Sequence, residues 1–147
     1  MLLAGNVWAG SLEVGVGQTY KLDGVSNERQ AVNIAYVEEG LLATEIAVGH
    51  LKGKDLDGDD RDDPDLEEPV NYIALGKRLT WKRVYVGLGG ALVDQTSSRL
   101  SSAFQFKSQI GVLLGPVTVK LEHLSNAGIK GDNGGENIAT VAYRHRF

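Results

Sequence analysis

The sequence predicts an all-β protein, an eight-stranded antiparallel up-and-down transmembrane β-barrel, as a single domain over residues 1–147. Three observations carry this. Period-2 alternation runs through eight segments and helical periodicity is scarce. The polar face of the alternating segments holds charges of both signs, while the other face is apolar. Connectors alternate between long and short along the chain.

The segments are 7–19, 29–38, 41–52, 69–79, 83–92, 102–113, 117–126 and 137–147, most near the roughly 9–11 residues that a tilted spanning strand needs. In the fifth, Val84, Val86, Leu88 and Leu92 share a face opposite Tyr85, Gly87, Gly89 and Ala91. In the sixth, Phe104, Phe106, Ile110 and Val112 oppose Ala103, Gln105, Lys107, Gln109 and Gly111; in the seventh, Val117, Val119 and Leu121 oppose Thr118, Lys120 and Glu122. The last sets Ala139, Val141, Tyr143 and Phe147 against Thr140, Ala142, Arg144 and Arg146. The fourth is the weakest, since neither of its faces is cleanly apolar.

A soluble barrel turns its apolar face inward. Here the polar face carries Glu13, Glu45 and Glu122 with Lys107, Lys120, Arg144 and Arg146, which suits the filled interior of a small membrane barrel with no open pore. Connectors 20–28, 53–68, 93–101 and 127–136 are long; those at Glu39-Gly40, Thr80-Trp81-Lys82 and Gly115-Pro116 are tight. Trp8, Tyr36, Trp81 and Phe147 all fall on the short-turn rim, as an aromatic girdle does.

Composition excludes several classes. The chain has no Cys, which removes disulfide scaffolds, thiolate metal sites and thiol nucleophiles. No apolar run reaches the roughly 18 residues of a spanning helix, and Met1-Leu2-Leu3-Ala4-Gly5 is too short for a signal-peptide core, so an exported chain takes this form after its signal is removed. Residues 53–69 hold nine of the nineteen acids, leaving ten acids against thirteen bases elsewhere. With no dense basic stripe, nucleic acid is not expected as a partner. The acidic run Asp55-Leu56-Asp57-Gly58-Asp59-Asp60 lacks the glycine placement and terminal Glu of an EF-hand, so a solvated loop is expected, and no metal or organic cofactor is implied. Gly87-Leu88-Gly89-Gly90 lies in a strand with no helix after it and is not a nucleotide loop; His50 and His145 read as rim and interfacial residues.

The informative stretch is 121–137. His123 and Ser125 are two apart on a strand and share the parity of Val117, Val119 and Leu121, which puts both on the lipid side. A polar pair facing lipid costs free energy, and its available chemistry is acyl transfer, with the imidazole taking the serine proton.

The run His123-Leu124-Ser125-Asn126-Ala127-Gly128-Ile129, the Asn/Gly-rich loop after it and the ending Tyr143-Arg144-His145-Arg146-Phe147 resemble the lipid A 3-O-deacylases of the PagL type. The motif covers about the last 25 residues and the barrel pattern extends the likeness to the whole chain. The resemblance implies an outer-membrane esterase that removes the 3-O-linked hydroxyacyl chain of lipid A in the outer leaflet. Ser125 would be the nucleophile and His123 the general base. Asn126 and the N–H groups near Gly128 would stabilise the oxyanion. The third member of the triad is expected near the start of the last strand. Parity puts Asn137 on the outer face and Glu136 inside, while a bulge or shorter loop would bring Glu136 to His123. Glu136 is preferred because a carboxylate stabilises imidazolium; Asn137 remains as an orienting amide. The rival readings are a non-enzymatic membrane barrel and a soluble binding barrel. A homodimer stays open.

Overall fold

The computed structural model describes residues 9–20, 29–53, 68–97, 99–129 and 134–147. Eight strands, β1 (Gly10–Tyr20), β2 (Gln30–Glu38), β3 (Leu42–Leu51), β4 (Val70–Trp81), β5 (Val84–Val93), β6 (Phe104–Leu114), β7 (Val117–Ser125) and β8 (Glu136–Arg146), close into an antiparallel barrel in chain order. β8 returns to β1 in an unbroken register from Ser11↔Arg146 to Tyr20↔Asn137, so no strand edge is left open. Trp8 and residues 54–67 of the acidic loop, where the girdle and cation expectations fall, lie outside the described residues.

Faces follow the alternation. Val16, Ile73, Leu88, Leu92 and Val141 are more than half exposed on the outer wall. An apolar surface of this extent, running round every strand, is stable only against lipid. The fourth strand, ambiguous in sequence, is ordinary in the barrel. Its inner face is Val70, Tyr72, Ala74 and Arg78, and the polar residues interrupting its outer face are matched across strands, Lys77 Nζ donating to Thr44 Oγ1 at 2.8 Å. It also runs on through Trp81, so the turn is Lys82-Arg83, with Lys82 at φ 56°.

Inside, paired charges pack beside a cluster of buried alanines and larger apolar residues such as Leu51, Val70, Leu124 and Ile138. Arg78 donates to Glu45 from Nε (2.8 Å) and to Glu13 from both Nη atoms (2.8 and 3.2 Å). Lys107 bridges Glu45 (2.6 Å) and Glu122 (2.9 Å), and Lys120 lies 3.2 Å from Glu122. Each buried ion thus meets opposite charge, the condition under which such burial is tolerable. Tyr72 and Tyr85 lie across Gly49 and Gly111, their directly paired neighbours, where any side chain would collide with the ring. At the short-turn rim Tyr36 stacks on Phe147 (6.2 Å between centroids), and Trp81 projects outward.

Candidate active site

β7 runs toward the long-loop rim and ends there with His123, Leu124 and Ser125. Leu124 is fully buried, so the flanking His123 and Ser125 lie on the outer face. β7 pairs with β8 without a bulge from Val117↔Tyr143 to Leu124↔Glu136, which sets His123 opposite Asn137. His123 Nδ1 lies 2.8 Å from Asn137 Oδ1. An amide oxygen only accepts, so Nδ1 holds the proton and Nε2 is left with a free lone pair.

The far edge of the ring leans over Gly135, just before β8. A methyl group there would lie 2.6 Å from His123 Cε1 and 2.6 Å from the Leu124 carbonyl oxygen, and Gly135 has φ +64°. Only glycine meets both conditions without displacing the imidazole.

After Ser125 the chain turns through Asn126–Ile129, closed by Ile129 N–H to Asn126 O (3.1 Å), with Ala127 at φ 55° and Gly128 at φ 76°. Two positive φ values in succession make a type I′ turn. It aims the Ala127 N–H at Ser125 Oγ (3.0 Å) and the Gly128 N–H at Asn126 Oδ1 (2.9 Å). Asn126 is 2% exposed, and its Nδ2 donates to Ser101 Oγ (2.8 Å), so this side chain builds the turn and anchors it to the β5–β6 connection. No hydrogen bond joins Ser125 to His123; the serine hydroxyl is turned to the Ala127 amide.

Glu136 departs from the preferred expectation. With no bulge in the register its side chain enters the barrel, on the face opposite His123. It is 1% exposed, with Oε1 3.3 Å from Arg29 Nη1 and 3.7 Å from Arg99 Nε. Arg29 also donates to the carbonyls of Lys52 (2.9 Å) and Glu68 (2.6 Å), while Arg99 and Gly135 exchange two hydrogen bonds, at 3.0 and 3.1 Å. Glu136 is therefore the hub of a clasp that ties the long-loop ends together beneath the outer-face group. The arginines that claim this carboxylate lie far away in sequence, out of reach of local spacing.

The sequence reading put Phe106 on the outer face but set neither it nor Ser108 beside this group. Phe106 pairs with Ser125 and packs edge-on against Phe104 (5.2 Å), giving an apolar wall beside the hydroxyl. Ser108 pairs with His123 from the other side. The signal was available: strict parity along β6 places Ser108 with Phe104 and Phe106.

A second polar group faces outward at the same rim, four strands away. His50 Nδ1 lies 2.7 Å from Asn71 Oδ1, and Asn71 donates to Asp94 from N (2.8 Å) and Nδ2 (2.6 Å). Those two donors, the side-chain amide first, hold the Asp94 carboxyl below its ordinary range. It repeats the His–Asn pairing with Lys52 in place of a serine two residues on.

These features meet comparisons with known proteins. The family model described as "Lipid A 3-O-deacylase (PagL)" matches residues 72–146, half of the chain, and takes in every residue of the β7–β8 group. The chain belongs to the PagL family. A curated relative, "Lipid A deacylase PagL" of Bordetella bronchiseptica (strain ATCC BAA-588 / NCTC 13252 / RB50), is 38% identical over 88 residues, covering 53% of this chain and 49% of the relative. The chain thus spans about half the length of that relative. The crystal structure of the outer membrane enzyme PagL superposes with a TM-score of 0.65 at 16% identity, covering 93% of this chain and 99% of that one. The Yersinia pestis outer membrane protein Ail in a phospholipid bilayer nanodisc gives 0.51 at 14% identity, over 92% and 99%. Both likenesses are of fold. PagL membership and the apolar wall together make this an outer-membrane barrel.

Proposed function

We propose that the chain is a serine ester hydrolase that removes the 3-O-linked hydroxyacyl chain of lipid A. The observation that carries the reading is the His123–Asn137 pair on the lipid-facing wall, with Ser125 two residues on in the same face. Its placement at the long-loop rim suits a substrate arriving by lateral diffusion in the outer leaflet.

Rotation of Ser125 about χ1 releases Oγ from the Ala127 amide toward the imidazole. Oγ attacks the ester carbonyl as His123 Nε2 takes its proton. The freed Ala127 N–H, with Gly128 beside it, faces the developing oxyanion, where one donor is typically worth about 3 kcal/mol. The tetrahedral species collapses, and the 3-hydroxyl of the sugar leaves with the proton from His123. Water, activated by the same imidazole, then cleaves the acyl–Ser125 ester, releasing the hydroxy fatty acid and restoring the hydroxyl. Asn137 keeps the proton on Nδ1 throughout, and Phe104 and Phe106 flank the acyl chain. The groups holding Asn126 and Glu136 serve the frame of the site.

The test is mass spectrometry of lipid A incubated with detergent-folded protein. Wild type should remove one hydroxyacyl mass, and Ser125→Ala and His123→Ala should not. Unchanged lipid A from folded wild type would favour the non-enzymatic barrel.

A further inference from the structure

The short-turn end of the barrel gathers four cations around one cleft of about 700 Å³. Lys82 and Arg83 make the β4–β5 turn, Arg144 and Arg146 end β8 on its inner face, and Gly115-Pro116 with Leu113 and Leu114 complete the lining. Arg144 is nine-tenths buried. Its Nε donates to Ser11 Oγ (3.1 Å) and lies 3.9 Å from Glu13 Oε1, but its Nη1 is buried with no partner. Glu13 supplies little, since Arg78 already engages both its oxygens. Arg83 and Arg146 are exposed and make no ion pair among the described residues, and Lys82 Nζ sits over the Trp81 ring at 4.8 Å.

Acids nearby do not balance this charge. Glu38 ends β2 and accepts from the Thr44 N–H, and Glu39, in the turn after it, makes no ion pair among the described residues. A buried guanidinium nitrogen without an acceptor, ringed by three more cations, is costly unless an anion enters. Guanidinium groups favour tetrahedral oxyanions, whose oxygens accept their N–H donors in pairs.

We propose that this cleft binds a phosphate-class anion at the short-turn mouth. The group is either the headgroup of an anionic phospholipid in the adjoining leaflet, whose interface Trp81, Tyr36 and Phe147 mark, or free inorganic phosphate. The site is independent of the outer-face serine and of its reaction.

The experiment is native mass spectrometry of the full detergent-folded chain with phosphatidylglycerol or phosphatidylcholine, alone and with added inorganic phosphate. Wild type should retain phosphatidylglycerol preferentially. Arg83→Gln/Arg146→Gln, which alters only exposed side chains, should weaken retention by about thirty-fold, since each Lys or Arg beside an anionic surface contributes roughly five-fold. Lys77→Gln, on the outer wall outside the cleft, should leave it unchanged. Retention that persists in phosphate identifies a lipid headgroup. Displacement by phosphate, with phosphate bound to wild type and lost from the double variant, identifies the free anion. Equal retention of both lipids without phosphate binding, or an equal loss in Lys77→Gln, would overturn the proposal.

Discussion

Replacing Asn137 by Asp changes one terminal atom group and tests how the imidazole is held. Asn137 Oδ1 lies 2.8 Å from His123 Nδ1, a neutral hydrogen bond worth about 1 kcal/mol net. In the proposed acyl transfer the ring becomes imidazolium. At the same 2.8 Å separation a carboxylate would attract it by at most about 6 kcal/mol at an effective dielectric of about 20. The site is half-exposed at the rim, so screening and desolvation leave about 1–2 kcal/mol. Asn137→Asp should therefore raise kcat/KM by about 5- to 30-fold. Asn137→Ala releases the ring and its tautomer and should lower kcat/KM by about 10-fold or more; exchanging acid for amide in a serine-protease triad, which selects the wrong tautomer, costs about 10⁴. The assay is the initial rate on a chromogenic 3-hydroxyacyl ester, normalised to the folded fraction from the heat-dependent gel shift. Both variants within about two-fold of wild type would remove Asn137 from the mechanism.

Glu136→Ala should act on the frame rather than the chemistry: stripping buried Arg29 and half-buried Arg99 of this carboxylate should cost about 3 kcal/mol of stability, read as a lower urea midpoint, while kcat of the folded fraction stays near wild type. A large kcat loss with unchanged stability would return Glu136 to the triad. Gly135→Ala places a methyl against the imidazole at a positive φ and should cut turnover about 100-fold through misplacement of Nε2, with the barrel still folded by gel shift. Glu45→Ala leaves Arg78 and Lys107 without a shared partner and should destabilise the barrel by about 3–5 kcal/mol in denaturant titration; an unchanged midpoint would mean the inner ion pairs contribute nothing.

Much of this architecture was legible in the chain because a barrel between lipid and a charged lumen imposes period 2 on every strand. All eight strands fall within three residues of their expected ends at each boundary. The fourth was hard to read because Asn71 and Lys77 break its outer face. Their justification, Asp94 and His50 for one and Thr44 for the other, exists only once neighbouring strands are paired. The site divides the same way. Parity correctly put His123, Ser125 and Asn137 outside and Glu136 inside, and a chemical preference for a carboxylate argued against it. The clasp of Glu136 with Arg29 and Arg99 supplies what parity lacked, a reason for an inward acid. The roles of Ala127 and Gly135 rest on positive φ values and close approach, which spacing along a sequence does not encode.

Ser125 is proposed as the nucleophile of a lipid-facing esterase. Labelling the detergent-folded chain with a long-chain alkyl fluorophosphonate, followed by peptide mass mapping, addresses it directly. The expected result is a phosphonylated Ser125, lost in Ser125→Ala and suppressed in His123→Ala. A label on Ser108, which also adjoins His123, or no label on folded protein that cleaves lipid A, would contradict it.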